Sequence, residues 1–98
     1  MIASFHRRVR ADLNEILGKY DAISDDLGDD FFVEFQLGIQ KACSNPRFYH
    51  FDASGLRRCN LDRFPYNFLY DIQSHSLRVW VLRHDHRSPG YGLRRFTP

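Results

Sequence analysis

The feature that most limits what this chain can fold into is a change of hydrophobic period near residue 45. Before it, apolar residues recur three and four apart; after it, they alternate. Val9, Leu13, Ile16, Leu17, Tyr20, Ile23 and Leu27 line one face of a helix that begins near Arg7, while Asp12, Glu15, Lys19 and Asp26 occupy the other. Gly28 is placed to stop that helix, because glycine enters the left-handed conformation that helix ends favour. Asp29 and Asp30 then suit the positive end of a second helix. Its stripe is Phe32, Phe35, Ile39, Ala42 and Cys43, with Phe31 and Leu37 alongside. Asn45-Pro46 ends it, since proline disfavours helix in the residue before it. So short a connection makes the two helices a hairpin.

Beyond a loop at 47–55 with anchoring aromatics, three strand-like segments follow at 56–64, 66–72 and 77–84. Tyr66, Phe68, Tyr70 and Ile72 share one face, with Leu69 on the other. Leu77, Val79 and Val81 alternate against Arg78, Trp80 and Leu82. Pro65 and the Gln73-Ser74-His75-Ser76 turn are short enough to join hairpins. Residues 2–6 alternate as an edge strand. Helices followed by strands imply an α+β fold: a short N-terminal strand and a two-helix hairpin packed on a twisted antiparallel sheet. Ninety-eight residues make one domain, 1–98, whose residues 85–98 form a basic C-terminal tail held through Tyr91 and Phe96.

Composition adds three expectations. Cys43 and Cys59 lack metal-like spacing and are expected as reduced, buried thiols. Charged residues break up the first ten positions where a signal peptide needs an apolar stretch, and no apolar run could span a membrane. The expected setting is therefore the cytoplasm, with no membrane partner and no cofactor. Finally, charge is unevenly spread. Residues 10–45 carry eight acids against three basic residues, whereas 57–98 carry eight arginines against three acids. Twelve of the fourteen basic residues are arginine, whose planar fork suits phosphate or carboxylate. Helix acids pairing with sheet arginines inside the fold is the plainer alternative.

The candidate working surface is the cluster Arg57, Arg58, Arg63, Arg83, His84, His86, Arg87, Tyr91, Arg94 and Arg95, which adjacent strands would gather at one end of the sheet. Arginine for phosphate, aromatic rings for stacking and histidine for proton transfer suit an RNA-directed site, and equally an acidic partner peptide. His84-Asp85-His86 offers two imidazoles, short of the three or four ligands a zinc site needs; no metal is expected. Cys59 lies beside Leu61 on the apolar face of its strand, so a core thiol is preferred to a nucleophile.

Leu56-Arg57-Arg58-Cys59-Asn60-Leu61-Asp62-Arg63-Phe64-Pro65-Tyr66-Asn67-Phe68-Leu69-Tyr70-Asp71-Ile72, then Leu77-Arg78-Val79-Trp80-Val81-Leu82-Arg83-His84 and Arg87-Ser88-Pro89, resemble the RelE/ParE superfamily of bacterial toxins. Asp12-Leu13 with Ile16, and Asn45-Pro46, fit as well, so the resemblance spans nearly the whole chain. It implies the toxin of a type II toxin–antitoxin (plasmid stabilization) system, inhibiting growth and neutralised by a cognate antitoxin that wraps an extended or helical segment around it. A homodimer or a toxin–antitoxin heteromer is expected. The target implied is DNA gyrase, as for ParE, or the ribosome and its mRNA, as for RelE-like endoribonucleases; a non-toxic binding module on the same fold is a third possibility. For a nuclease the resemblance assigns catalysis to Arg58, His84, His86, Arg87 and Tyr91, leaving Arg57, Arg63, Arg83, Arg94 and Arg95 to bind the target or nucleic acid. Asn60 and Asn67 stand where the nucleases carry further basic residues, and Asp85 where they carry an arginine. Cleavage needs cations against a charged transition state, so the gyrase branch is preferred.

Overall fold

The computed structural model describes residues 1–96. Strand β1 (Ile2–Phe5) leads into helices α1 (Val9–Asp21) and α2 (Asp25–Ser44), then strands β2 (Arg57–Asn60), β3 (Tyr66–Gln73) and β4 (Ser76–His84), and a short 3-10 helix at Leu93–Arg95. Among the described residues the four strands form one sheet in the order β1-β4-β3-β2. β2, β3 and β4 are an antiparallel meander, as expected, but β1 joins β4 in parallel, so the sheet is mixed.

The break between the helices falls four residues earlier than Gly28 suggests. Ser24 is extended and its hydroxyl accepts the Leu27 N–H, while Asp25 and Asp26 occupy the first turn of α2. That cap captures an otherwise unpaired donor, and the acids meet the dipole. Gly28 consequently lies inside α2, covered by the Asp21 side chain.

One sheet face meets the helices. Phe31 and Phe35 from α2 and Val9 and Ile16 from α1 bury against Phe68, Tyr70, Leu77, Val79 and Leu82. Leu82 was expected on the opposite face. A register shift between Leu69 and Tyr70 places Leu69 across from Val81 but Tyr70 across from Val79, so Trp80 is an extra residue in β4. Such a bulge reverses the alternation beyond it, turning Leu82 toward the helices and Val81 away. Strand β2 is also shorter than residues 56–64, because the Leu61 N–H donates to Tyr66 O and residues 61–65 form the turn.

The segment after β4 folds back onto the face that the helices leave open. Tyr91 and Leu93 pack there on Leu56, Leu69 and Val81, and Phe96 meets the Trp80 ring edge-on at 5.5 Å. The part expected as a tail thus covers a second small core through residue 96; residues 97 and 98 lie outside the described residues. The loop after α2 is anchored by the Tyr70 hydroxyl, which donates to Pro46 O at 2.6 Å. Among the described residues, no helix is long and apolar enough to cross a membrane.

Candidate functional site

The sheet and the folded-back segment bring several of the candidate residues close together, but they divide them among three places. On the open sheet face, Arg58 and Asn60 from β2, Asn67 from β3 and Arg83 from β4 form a polar cluster with Asp52 and Asp85. Arg58 donates to Asn60 Oδ1 at 2.8 Å and pairs with Asp85 at 3.4 Å and Asp52 at 3.9 Å. Arg83, with only 4% of its side chain exposed, pairs with Asp52 at 3.3 Å and donates to Pro89 O. Asn67 donates to Asp85, and its buried carbonyl oxygen has no partner. Two guanidinium groups therefore face two carboxylates. Burial pushes the Asp52 carboxyl up, yet hydrogen bonds from Ser54 and the charges of Arg83 and Arg58 hold it below 3.8 overall.

His84 lies on the other side of the sheet. Its ring meets Tyr66 edge-on at 5.0 Å, and its Nδ1 accepts the His86 N–H. With Arg83, Arg87, Tyr91, Tyr66, Asp12 and Glu15 it lines a cleft of about 300 Å³ against α1. Arg87 is held there by Glu15 at 3.4 Å and stacks over Tyr91. His86 is exposed. Among the described residues, no group of three or more histidines, cysteines or acids could hold a metal ion.

The third place is the edge of β4. β1 ends at Phe5, so on that edge, opposite β3, β4 has no neighbour strand beside residues 80–84 among the described residues, and two side chains stand in for one. Asp12, on α1, accepts the Leu82 N–H at 3.1 Å, and Arg95 donates to Trp80 O at 3.1 Å. The two join through Arg95 Nη1 and Nη2 on the Asp12 oxygens at 2.6 and 2.9 Å, and Tyr91 adds its hydroxyl at 2.8 Å. Burial and this bond to a carboxylate raise the Tyr91 pKa, which disfavours the phenolate a general base needs.

The remaining candidates are dispersed. Arg57 donates to the carbonyls of Arg47 and Tyr49 and stacks over Phe51. Arg63 pairs with Asp30 on α2, and Arg94 is exposed. Cys59 is buried, free, and pushed up to about 11 by desolvation, as suits a core thiol.

Two surfaces had no place among the candidates. A groove of about 720 Å³ runs between β1 and the helix hairpin, lined by Phe5, Leu13, Phe32, Phe35 and Ile39 and rimmed by Arg7 and Arg10. Phe5 and Phe32 are substantially exposed in it. The exposed Phe32 and Val33 beside buried Phe31 and Phe35 were the available signal: α2 is too apolar for a helix with one buried stripe. The second surface is the arginine-rich corner at residues 6–10, whose charges had been weighed only against a signal peptide.

No family model matches the sequence, and no curated protein matches it either. The fold has a counterpart among solved structures: a chain of the chromosomal ParDE TA system from P. aeruginosa superposes with a TM-score of 0.74. The match covers 86% of this chain and 95% of that one, at 16% sequence identity, so the likeness is one of fold.

Proposed function

We propose that this chain, which has the α+β fold of the RelE/ParE toxins, is the toxin of a toxin–antitoxin pair and acts on DNA gyrase rather than by cutting mRNA. The observation that carries the choice of target is that the cations among the nuclease candidates are neutralised by carboxylates of the fold. Arg58 is engaged by Asp85 and Asp52, His84 and Arg87 lie across the sheet, and Tyr91 is tied to Asp12. An RNA-cleaving site needs a positive centre at the scissile phosphate, with an acid and a base within reach of it. Here Arg58 and Arg83 are balanced by Asp52 and Asp85, Arg87 is held by Glu15, and the Tyr91 hydroxyl that shares the cleft with His84 is bound to Asp12 with its pKa raised. A toxin that acts by binding a protein has no such requirement.

The apolar groove supports the other half of the reading. An antitoxin segment shaped as an amphipathic helix would place its apolar ridge on Phe5, Leu13, Phe32, Phe35 and Ile39, with acidic residues toward Arg7 and Arg10. The resulting assembly is a cytoplasmic toxin–antitoxin heteromer.

Adding the purified chain to gyrase and relaxed plasmid tests the reading. Inhibition of supercoiling, reversed by the antitoxin, is the expected result. Ribosome-dependent mRNA cuts that vanish in Arg58→Ala would overturn it in favour of a nuclease. Inactivity in both assays would leave a binding module on a toxin fold.

A further inference from the structure

Most arginines of the C-terminal cluster are satisfied within the fold, and those without a counter-charge gather at residues 7–10 and at Arg78. Arg58, Arg63, Arg83, Arg87 and Arg95 each have a carboxylate partner, and Arg57 has two carbonyls. Arg7, Arg8, Arg10, Arg47 and Arg78 have no ion pair among the described residues, and Arg47 stands apart from the others on the loop after α2. Residues 1–11 contain no acid at all, and the first one reached, Asp12, is taken by Arg95. Arg8 even stands at the N-terminal cap of α1 without a capping hydrogen bond, where the helix dipole disfavours a cation. Arginines that gain no counter-charge within the fold point to an anionic partner outside it.

The pairing of β1 with β4 sets this charge beside aromatic rings. Ser4 is opposite Arg78, and the His6 N–H donates to Val79 O, so the chain enters Arg7 and Arg8 next to Trp80. Arg78 stacks over the Trp80 ring at 5.1 Å, His6 lies 5.7 Å from it, and Phe96 completes the row, 37% exposed. Burial and the charges of Arg95, Arg78, Arg7 and Arg8 hold the His6 imidazole below 6.5.

We propose that this corner, formed by His6, Arg7, Arg8, Arg78, Trp80 and Phe96, binds the phosphodiester backbone of nucleic acid. Guanidinium groups neutralise successive phosphates, while the part-exposed Phe96 ring offers stacking to an unpaired base. An acidic peptide would use the charge but not the rings, and the apolar groove already supplies a separate surface for a peptide; only His6 and Arg7 belong to both.

Fluorescence anisotropy with labelled duplex DNA, single-stranded RNA and poly-glutamate tests the proposal without gyrase or ribosomes, so its failure is separable from failure of the proposed target. With three phosphates neutralised, duplex affinity should fall by about 40-fold between 50 and 200 mM salt. Arg7→Gln/Arg8→Gln/Arg78→Gln should weaken binding by more than about tenfold and flatten that salt dependence. Lys19→Gln/Lys41→Gln/Arg47→Gln, which removes the same charge elsewhere, should leave both unchanged. Phe96→Ala should weaken RNA more than duplex, and bound DNA should raise the His6 titration midpoint. Thermal melts confirm that each variant is folded. Absence of binding at 50 mM salt, equal loss in the two triple variants, or poly-glutamate binding as tightly as DNA would each overturn the proposal.

Discussion

Replacing Asp12 with alanine should be among the most damaging single changes available in this protein. Its carboxylate, with 3% of the side chain exposed, accepts from Leu82 N–H, Tyr91 O–H and both terminal nitrogens of Arg95. Without it the Arg95 guanidinium, 11% exposed, keeps Trp80 O but has no counter-charge, and a buried sheet N–H loses its acceptor. Breaking a buried ion pair from one side costs about 3–5 kcal/mol, against a total stability of roughly 5–15 kcal/mol for a domain. At about 5 °C per kcal/mol for a chain this size, the melting temperature should drop by roughly 15–25 °C. Thermal and urea unfolding followed by circular dichroism measure it. Arg95→Met should also destabilise strongly, whereas Asp12→Leu/Arg95→Met should recover at least half of the combined loss, because no charge is left buried alone. A single-variant cost below about 1 kcal/mol, or strictly additive costs, would refute this account of the clasp.

Three further outcomes are expected. Gly92 has φ +78°, and a Cβ there would approach Val81 to 2.7 Å, so Gly92→Ala should cost about 1–3 kcal/mol and make the segment after β4 the first site of limited proteolysis. Cys59, pushed up to about 11 by burial, should resist a thiol reagent at pH 8 until the protein unfolds, with Cys43 reacting ahead of it; rapid native labelling of both would contradict the packing. Asp52, held below its ordinary 3.8, contributes stability that is present above that pH and lost as pH falls through its lowered folded value; Asp52→Asn should therefore flatten the acid limb of a stability–pH profile, and an unchanged slope would contradict the pairing with Arg83 and Arg58.

The order of elements and the two-layer plan were legible because they rest on period: three to four residues up to position 45, then two. What escaped the sequence were features that leave period almost untouched. The bulge at Trp80 is one extra residue in an apolar strand, yet it decides that Leu82 faces the helices and Val81 the folded-back segment. The sequence pointed to Gly28 as the helix boundary, but the Ser24 hydroxyl accepting the Leu27 N–H places it at serine. The candidate site was the least legible part. A run of arginines is visible in one dimension, but its neutralisation is not: Asp12 and Arg95 are 83 residues apart, and Glu15 and Arg87 are 72. Pairing at such separations exists only once the sheet has carried the C-terminal segment back to α1. The same folding leaves Arg7, Arg8, Arg10 and Arg78 without an ion pair among the described residues, which no count of charges could indicate.

On the proposed function, the candidate cations serve the fold and the chain acts by binding gyrase. Tightly controlled induction in bacteria, with DNA and protein synthesis pulse-labelled in parallel over the first minutes, tests it most directly. DNA synthesis should fall first, and Arg58→Gln, if folded, should retain this effect. Protein synthesis falling first, with toxicity abolished in Arg58→Gln, would contradict it.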